Sequence, residues 1–281
     1  MQGRVAIVTD STAYLPAELT ARHDITVVPL QIIIGGAVCD EGQDVTAADV
    51  ASALRRWAPV STSRPSPQRF ANAYADAAAA GAEGAVSIHL SAEMSGTVES
   101  AQIAAKESDL PVRVVDARCL GMGLGFPVLA AADAAANGAG VDEAAEAAER
   151  RAAATRSLFY VDTLEHLRRG GRIGAASTLL GSALMVKPLL HIVDGRICPL
   201  EKVRTAARAI TRLEDLAVRE ARDRSVDLAV HHLANSVRAD TVAARLRERV
   251  PGLSDLYVSE VGAVIGAHVG PGMVAVVISP R

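Results

Sequence analysis

The first half of the chain alternates short apolar runs with longer helix-forming stretches, and that alternation leaves few folds open. Residues 5–8, 25–29, 32–34, 85–89 and 112–115 are brief β-type runs. Residues 47–57, 67–80 and 142–155 carry helical composition, and Thr46 and Ser66 are placed to cap the first two. Strands alternating with helices predict a mostly parallel sheet with helices on both faces. Asp10-Ser11-Thr12, directly after the first run, offers capping side chains ahead of a helix start near Pro16.

The rhythm changes after about Thr155. Residues 158–161, 189–193, 196–200, 227–232, 256–260 and 273–278 read as strands, with helices at 163–169, 205–223 and 236–250. Asp194-Gly195 between two of the strands is a hairpin signal. The expected architecture is α/β in two domains. An N-terminal α/β domain spans residues 1–155 and a C-terminal α+β domain spans 156–281.

Composition narrows the function. With 281 residues, half of them hydrophobic, the chain can bury a sizeable core. A formal charge of −3 leaves no basic footprint for nucleic acid, and 3% aromatic residues provide few stacking platforms. Cys39, Cys119 and Cys198 are odd in number and far apart, which suits buried thiols in a reducing compartment. Met1-Gln2-Gly3-Arg4 leads straight into a strand-like run, unlike a signal peptide. Later apolar stretches meet Asp133 or Lys187 before the ~20 residues that span a bilayer. A soluble, cytoplasmic protein is expected.

Common catalytic motifs fit poorly. Gly121-Met122-Gly123-Leu124-Gly125 has a misplaced third glycine and no early strand–helix–strand context, so it reads as a helix start rather than a dinucleotide site. Ser95, in Glu93-Met94-Ser95-Gly96-Thr97, lies outside a hydrolase elbow, yet a Ser95–His268 hydrolase or acyltransferase remains an alternative. Adjacent His231 and His232 point to opposite faces of a strand and lack metal-ligand spacing. Arg168-Arg169-Gly170-Gly171-Arg172 has two readings. One is a solvated helix C-terminus with a glycine cap, and the other is anion recognition by Arg172. Asp10-Ser11-Thr12 likewise serves as a helix cap or as a small phosphate or sugar site.

In order along the chain, these blocks resemble the DegV family. Thr9-Asp10-Ser11-Thr12-Ala13 with Leu15-Pro16 is similar to its opening signature. Thr62-Ser63-Arg64-Pro65-Ser66-Pro67 resembles its T-S-Q-P-S-P segment, with Arg64 in place of the usual glutamine. Residues 91–101 match its S-x-x-x-S-G-T-x-x-S-A run. Asp162-Thr163-Leu164, Gly170-Gly171-Arg172-Ile173 and Lys187-Pro188-Leu189-Leu190 follow in order. Lys202-Val203-Arg204-Thr205 and His268-Val269-Gly270-Pro271-Gly272 complete the set.

The resemblance implies a non-catalytic, monomeric protein that needs no cofactor and binds one long-chain fatty acid in an apolar tunnel between its domains. The carboxylate is presented to a separate ATP-dependent fatty acid kinase, and the acyl phosphate enters phospholipid synthesis, with room for transient contact with a membrane surface. Thr62, Ser95 and His268 fall where the family binds the carboxylate. Arg172, Ser63, Gly96 and Thr97 fall in the surrounding polar network, and Arg204 at a position linked to kinase docking. Arg64 adds a charge beside that network. Candidate tail contacts are Phe126, Leu179, Leu180, Leu184, Met185, Leu189, Leu190 and Ile265, each read more readily as ordinary core than as tunnel wall.

The physics is compatible with such a ligand. Burying a tail of about 14–18 carbons at about 0.8 kcal/mol per CH₂ offers on the order of 10 kcal/mol, discounting the first carbons. Ordering the chain takes back several kcal/mol. The head group is the harder part, because a buried carboxylate without partners is very costly. Each hydroxyl donor returns about 1.5–3 kcal/mol as a charge-assisted bond.

Overall fold

The computed structural model describes residues 3–179 and 187–281. Its chain divides into two compact units. One comprises residues 1–31 and 63–154, and the other residues 32–62 and 155–281. The chain begins in the first unit with β1 (Val5–Asp10), α1 (Ala17–Arg22) and β2 (Ile25–Val28). It then contributes β3 (Gln31–Ile34), β4 (Ala37–Asp40), α2 (Ala47–Arg55) and β5 (Val60–Ser63), essentially all in the second unit. The first unit resumes with α3 (Pro67–Ala79), β6 (Gly84–His89), α4 (Thr97–Glu107), β7 (Val112–Asp116), α5 (Met122–Ala136) and α6 (Val141–Ala154). The second is completed by β8 (Arg156–Tyr160), α7 (Glu165–Arg169), β9 (Lys187–Val193), β10 (Arg196–Val203) and α8 (Ala206–Ala221). After these come β11 (Val226–His232), α9 (Ser236–Arg249), β12 (Leu253–Glu260), α10 (Ala263–Val269) and β13 (Val274–Pro280).

In the first unit the strands form a parallel sheet in the order β2-β1-β6-β7. Every residue of β6 is buried, Ser87 and His89 included, as in a strand covered on both faces. Val8, Val28, Phe70, Tyr74 and Ala101 make one core cluster on that sheet. Asp10 caps the short helical turn Ser11–Ala13 by accepting from the Thr12 backbone N–H at 3.0 Å. The capping reading of Asp10-Ser11-Thr12 is therefore observed. The glycine-eased helix start is observed too, with Gly121 at φ +61° immediately before α5.

The second unit is built on a six-stranded mixed sheet in the order β10-β9-β8-β13-β11-β12. Only β11 and β12 run parallel within it. Asp194 (φ +50°) and Gly195 (φ +77°) turn β9 into β10, as the two-residue hairpin signal predicts. Thr205 accepts from Arg208 N–H at 3.3 Å to cap α8. That helix buries Ile210, Leu213, Leu216 and Ala217 against Leu158, Leu189, Leu228 and Val276 of the sheet. Each large aliphatic side chain so buried contributes roughly 1.5–3 kcal/mol.

A second, three-stranded sheet of order β4-β3-β5 also belongs to this unit. This corrects the linear division into 1–155 and 156–281. Residues 32–62 group with the second unit because α2 packs on α10, and because the Glu41 carboxylate accepts from Val264 N–H at 2.7 Å. The sequence periodicity places a break near Thr155 but carries no sign of the earlier excursion. Strands β4 and β5 and helices α4 and α10 are likewise absent from the sequence-based expectation. Helix α10 is apolar almost all round and nearly wholly buried, so it has no polar face to mark its period.

Candidate functional site

Three segments of the second unit meet at His268. Thr62 lies on β5, His268 near the end of α10, and Gly170 and Arg172 in the turn after α7. The turn has a physical cause. Gly171, at φ +70°, adopts the left-handed conformation, Gly171 N–H bonds Arg168 carbonyl at 3.1 Å, and Arg172 N–H bonds Leu167 carbonyl at 3.0 Å. This is a Schellman ending, in which the second residue beyond the helix folds back over its last turn. Arg172 thereby returns toward the site, its Nη1 donating to Gly170 carbonyl at 2.8 Å. The glycine-capped helix end, one of the two readings of the arginine–glycine cluster, is therefore observed in this turn. Glu41 secures the opposite end of α10 through Val264 and so fixes the height of His268.

The geometry at His268 specifies its protonation. Its Nε2 lies 2.8 Å from Thr62 Oγ1, while Nδ1 is buried with no hydrogen-bond partner among the described residues. Gly170 closes over that nitrogen so tightly that a Cβ there would sit 2.1 Å from Nδ1. Burial, and then the charge of Arg172, push the imidazole down to about 4, so the ring is neutral near pH 7. A buried N–H without an acceptor costs more than a buried lone pair without a donor. The proton therefore belongs on Nε2, which donates to Thr62 Oγ1. That leaves the Thr62 hydroxyl hydrogen available to a ligand.

Further motifs meet in the same unit. Tyr160 hydroxyl donates to Asp162, Lys187 Nζ donates to Asp162 carbonyl at 2.9 Å, and Gly272 (φ +90°) packs directly on the Asp162 carboxylate. Arg204 is exposed in the bend between β10 and α8.

In the first unit, Ser95 Oγ is 2.8 Å from Thr97 Oγ1, and Ser95 N–H is held by Ser91 carbonyl at 3.1 Å. Gly96 opens α4, and its carbonyl accepts from Arg64 Nη1 at 3.2 Å. Arg64 also pairs with Glu99, so its charge is engaged on α4. Ser63 Oγ donates to Arg64 carbonyl at 3.3 Å. Ser95 thus has a hydroxyl neighbour within its unit, where a nucleophile needs a base.

A different serine does lie in such an array. Ser87 Oγ is 2.6 Å from His89 Nε2, and His89 Nδ1 is 3.1 Å from Asp10 Oδ2. All three are wholly buried, and Tyr74 hydroxyl donates to Ser87 at 2.8 Å. Asp10 also accepts from Leu90 N–H at 2.9 Å. The array ties the ends of β1 and β6 together and is closed to substrate. The sequence holds no local signal for it, because Asp10, Tyr74 and the Ser87–His89 pair lie on three separate elements. Of the candidate tail contacts, Phe126, Leu179, Leu189, Leu190 and Ile265 are buried, and Leu189 belongs to the core of the second unit. Leu180, Leu184 and Met185 lie outside the described residues. Among the described residues no cluster of side chains could hold a metal ion.

Fold and site together define a two-unit α/β protein, with a neutral histidine–threonine pair and an arginine-bearing turn in its second unit. The chain belongs to the DegV family: the family model described as "Uncharacterised protein, DegV family COG1307" matches residues 4–281. It is 59% identical to the DegV domain-containing protein SCO2569 of Streptomyces coelicolor, with 100% of both chains covered. A fatty-acid-binding DegV family protein from Thermus thermophilus matches with TM-score 0.93 at 32% identity, covering 99% of this chain and 100% of that one. DegV, a fatty acid binding protein from Bacillus subtilis, matches with TM-score 0.90 at 31% identity over 99% and 100%.

Proposed function

We propose that this protein binds one long-chain fatty acid and presents its carboxylate to a separate ATP-dependent kinase, which forms the acyl phosphate. The observation that carries the reading is the Thr62–His268 pair, whose neutral imidazole orients a hydroxyl with a hydrogen to give. A carboxylate can accept that hydrogen. Neutral donors hold the head group without the strong charge neutralisation of a direct arginine clamp, so its oxygen remains able to attack a phosphoryl group. The fatty-acid-binding relatives from Thermus thermophilus and Bacillus subtilis support the ligand class.

Ser95 is assigned to carboxylate binding on the strength of its motif, with Gly96 and Thr97 shaping its loop and Ser63 and Arg172 in the wider polar network. Arg204, exposed after β10, is assigned to kinase docking. An ATP-using partner places the reaction in the cytoplasm, and no helix among the described residues is long and apolar enough to cross a membrane. In this scheme the chain itself does no chemistry and acts as a monomer.

Two measurements test the reading. Protein purified from bacteria and denatured should release about one equivalent of long-chain fatty acid, detected by mass spectrometry. Protein that carries no lipid and takes up none on incubation removes the ligand assignment. Adding a purified fatty acid kinase and ATP should convert bound lipid to acyl phosphate. Bound lipid that stays unphosphorylated removes the presentation step.

A further inference from the structure

Beside Thr62 and His268 the second unit opens a cavity of about 710 Å³, much larger than a carboxylate needs. Its charged wall is one-signed: Arg169 and Arg172 line it, and no acidic residue does so among the described residues. The two histidines of the wall are held neutral, by burial first and then by the arginine beside each. Arg169 acts on His166 and Arg172 on His268.

Arg169 is placed with care. Its guanidinium carbon lies 4.5 Å from the ring centroid of Trp57, and Trp57 in turn stacks on His166 at 6.4 Å and 21°. Glu165 takes Arg169 through Nε alone at 2.7 Å, while gripping Arg168 at both Nε (2.9 Å) and Nη2 (2.7 Å). The terminal nitrogens of Arg169 therefore keep their hydrogens for another acceptor, and the ring face fixes the plane in which they are offered. Trp57 is the one tryptophan of the chain, is 63% exposed, and sits at φ +59°, a conformation bulky residues rarely adopt. Strain of this kind is retained where surrounding contacts hold it, and here the contacts are Arg169 and His166.

We propose that this cavity is a phosphoryl subsite: it takes the phosphate end of a phosphorylated acyl ligand, with Arg169 and Arg172 as cationic contacts and Trp57 positioning Arg169. A dianionic, three-oxygen group matches two guanidinium forks far better than a carboxylate does. The proposal rests on the reading that Thr62 and His268 face an acyl head group. A free phosphate ion offers the same chemistry, and the experiment separates the two sources.

Lipid-stripped protein is titrated calorimetrically with hexadecyl phosphate, with hexadecanoate and with inorganic phosphate, while Trp57 emission is followed in parallel. Arg169→Gln should weaken hexadecyl phosphate roughly tenfold and alter hexadecanoate by less than about twofold. Trp57→Leu should reproduce part of that loss and Trp57→Phe restore most of it, with melting temperatures confirming that each variant folds. Equal losses for both lipids, or no loss in Arg169→Gln, overturns the subsite. Saturation by inorganic phosphate alone, abolished in Arg169→Gln, upholds the phosphate chemistry and assigns it to the free ion. Binding of phosphate without any binding of hexadecanoate leaves the subsite in place and removes the fatty-acid reading instead.

Discussion

Thr62 Oγ1 lies 2.8 Å from His268 Nε2, across 206 residues of sequence. The unpartnered Nδ1 behind that contact sets the direction of the hydrogen bond, and that direction leaves the Thr62 hydroxyl hydrogen available to an acceptor other than His268. Thr62→Val keeps the shape and removes the hydroxyl. Because the tail dominates affinity, lipid retention should fall by roughly tenfold or less, whereas phosphorylation by a fatty acid kinase should fall much further. Equal, complete loss of both would point to misfolding of β5, which a melting curve distinguishes.

Ser95→Ala probes the carboxylate role assigned to the first unit. Lipid should be retained in large part while phosphorylation drops strongly. Unchanged phosphorylation in this variant would falsify the positioning role. Hydrolysis of activated acyl esters by the wild type, abolished in Ser95→Ala, would replace it with a nucleophilic one.

Arg204→Ala should leave bound lipid intact and lower the rate of kinase coupling, since the side chain is exposed. Loss of lipid in that variant, read by mass spectrometry, would make Arg204 structural.

Gly170→Ala places a methyl group 2.1 Å from His268 Nδ1, closer than any real contact. The imidazole or the turn must move, at a cost of about 1–3 kcal/mol. A lowered denaturation midpoint should accompany weaker phosphorylation. A variant as stable and as active as the wild type would mean that Gly170 does not seal the ring.

Stability should fall as the solution is acidified. His268 and His231 are both pushed down to about 4 from an unfolded value of 6.5, chiefly by burial. Between those values the unfolded chain binds protons that the folded chain refuses, so the stabilising effect is full above 6.5 and is lost toward 4. For the fully buried His231 the loss is on the order of 3 kcal/mol. Urea midpoints between neutral and mildly acidic solution check this, and a midpoint that rises on acidification contradicts it.

Much of the fold is legible without coordinates. The parallel sheet of the first unit follows from the alternation of short β-type runs such as 5–8 and 85–89 with helical stretches. The cap Thr46 and the turn Asp194-Gly195 act through neighbours only a few residues away, so their spacing suffices, whereas Ser66 stands before α3 without a side-chain capping bond and Thr205, read as helical, is the cap of α8. The same locality explains the Schellman turn that aims Arg172.

Other features depend on contacts with no local trace. Residues 32–62 join the second unit through Glu41 and through α2 on α10, and nothing in their own composition announces it. The Asp10–His89–Ser87 array and the Trp57–Arg169 stack each gather side chains from separate elements. Hydrophobic period and cap chemistry are short-range properties that a linear chain carries in itself. Which nitrogen of His268 holds the proton, and which face of Arg169 meets a ring, are decided by desolvation and close packing, and these exist only once distant segments have met.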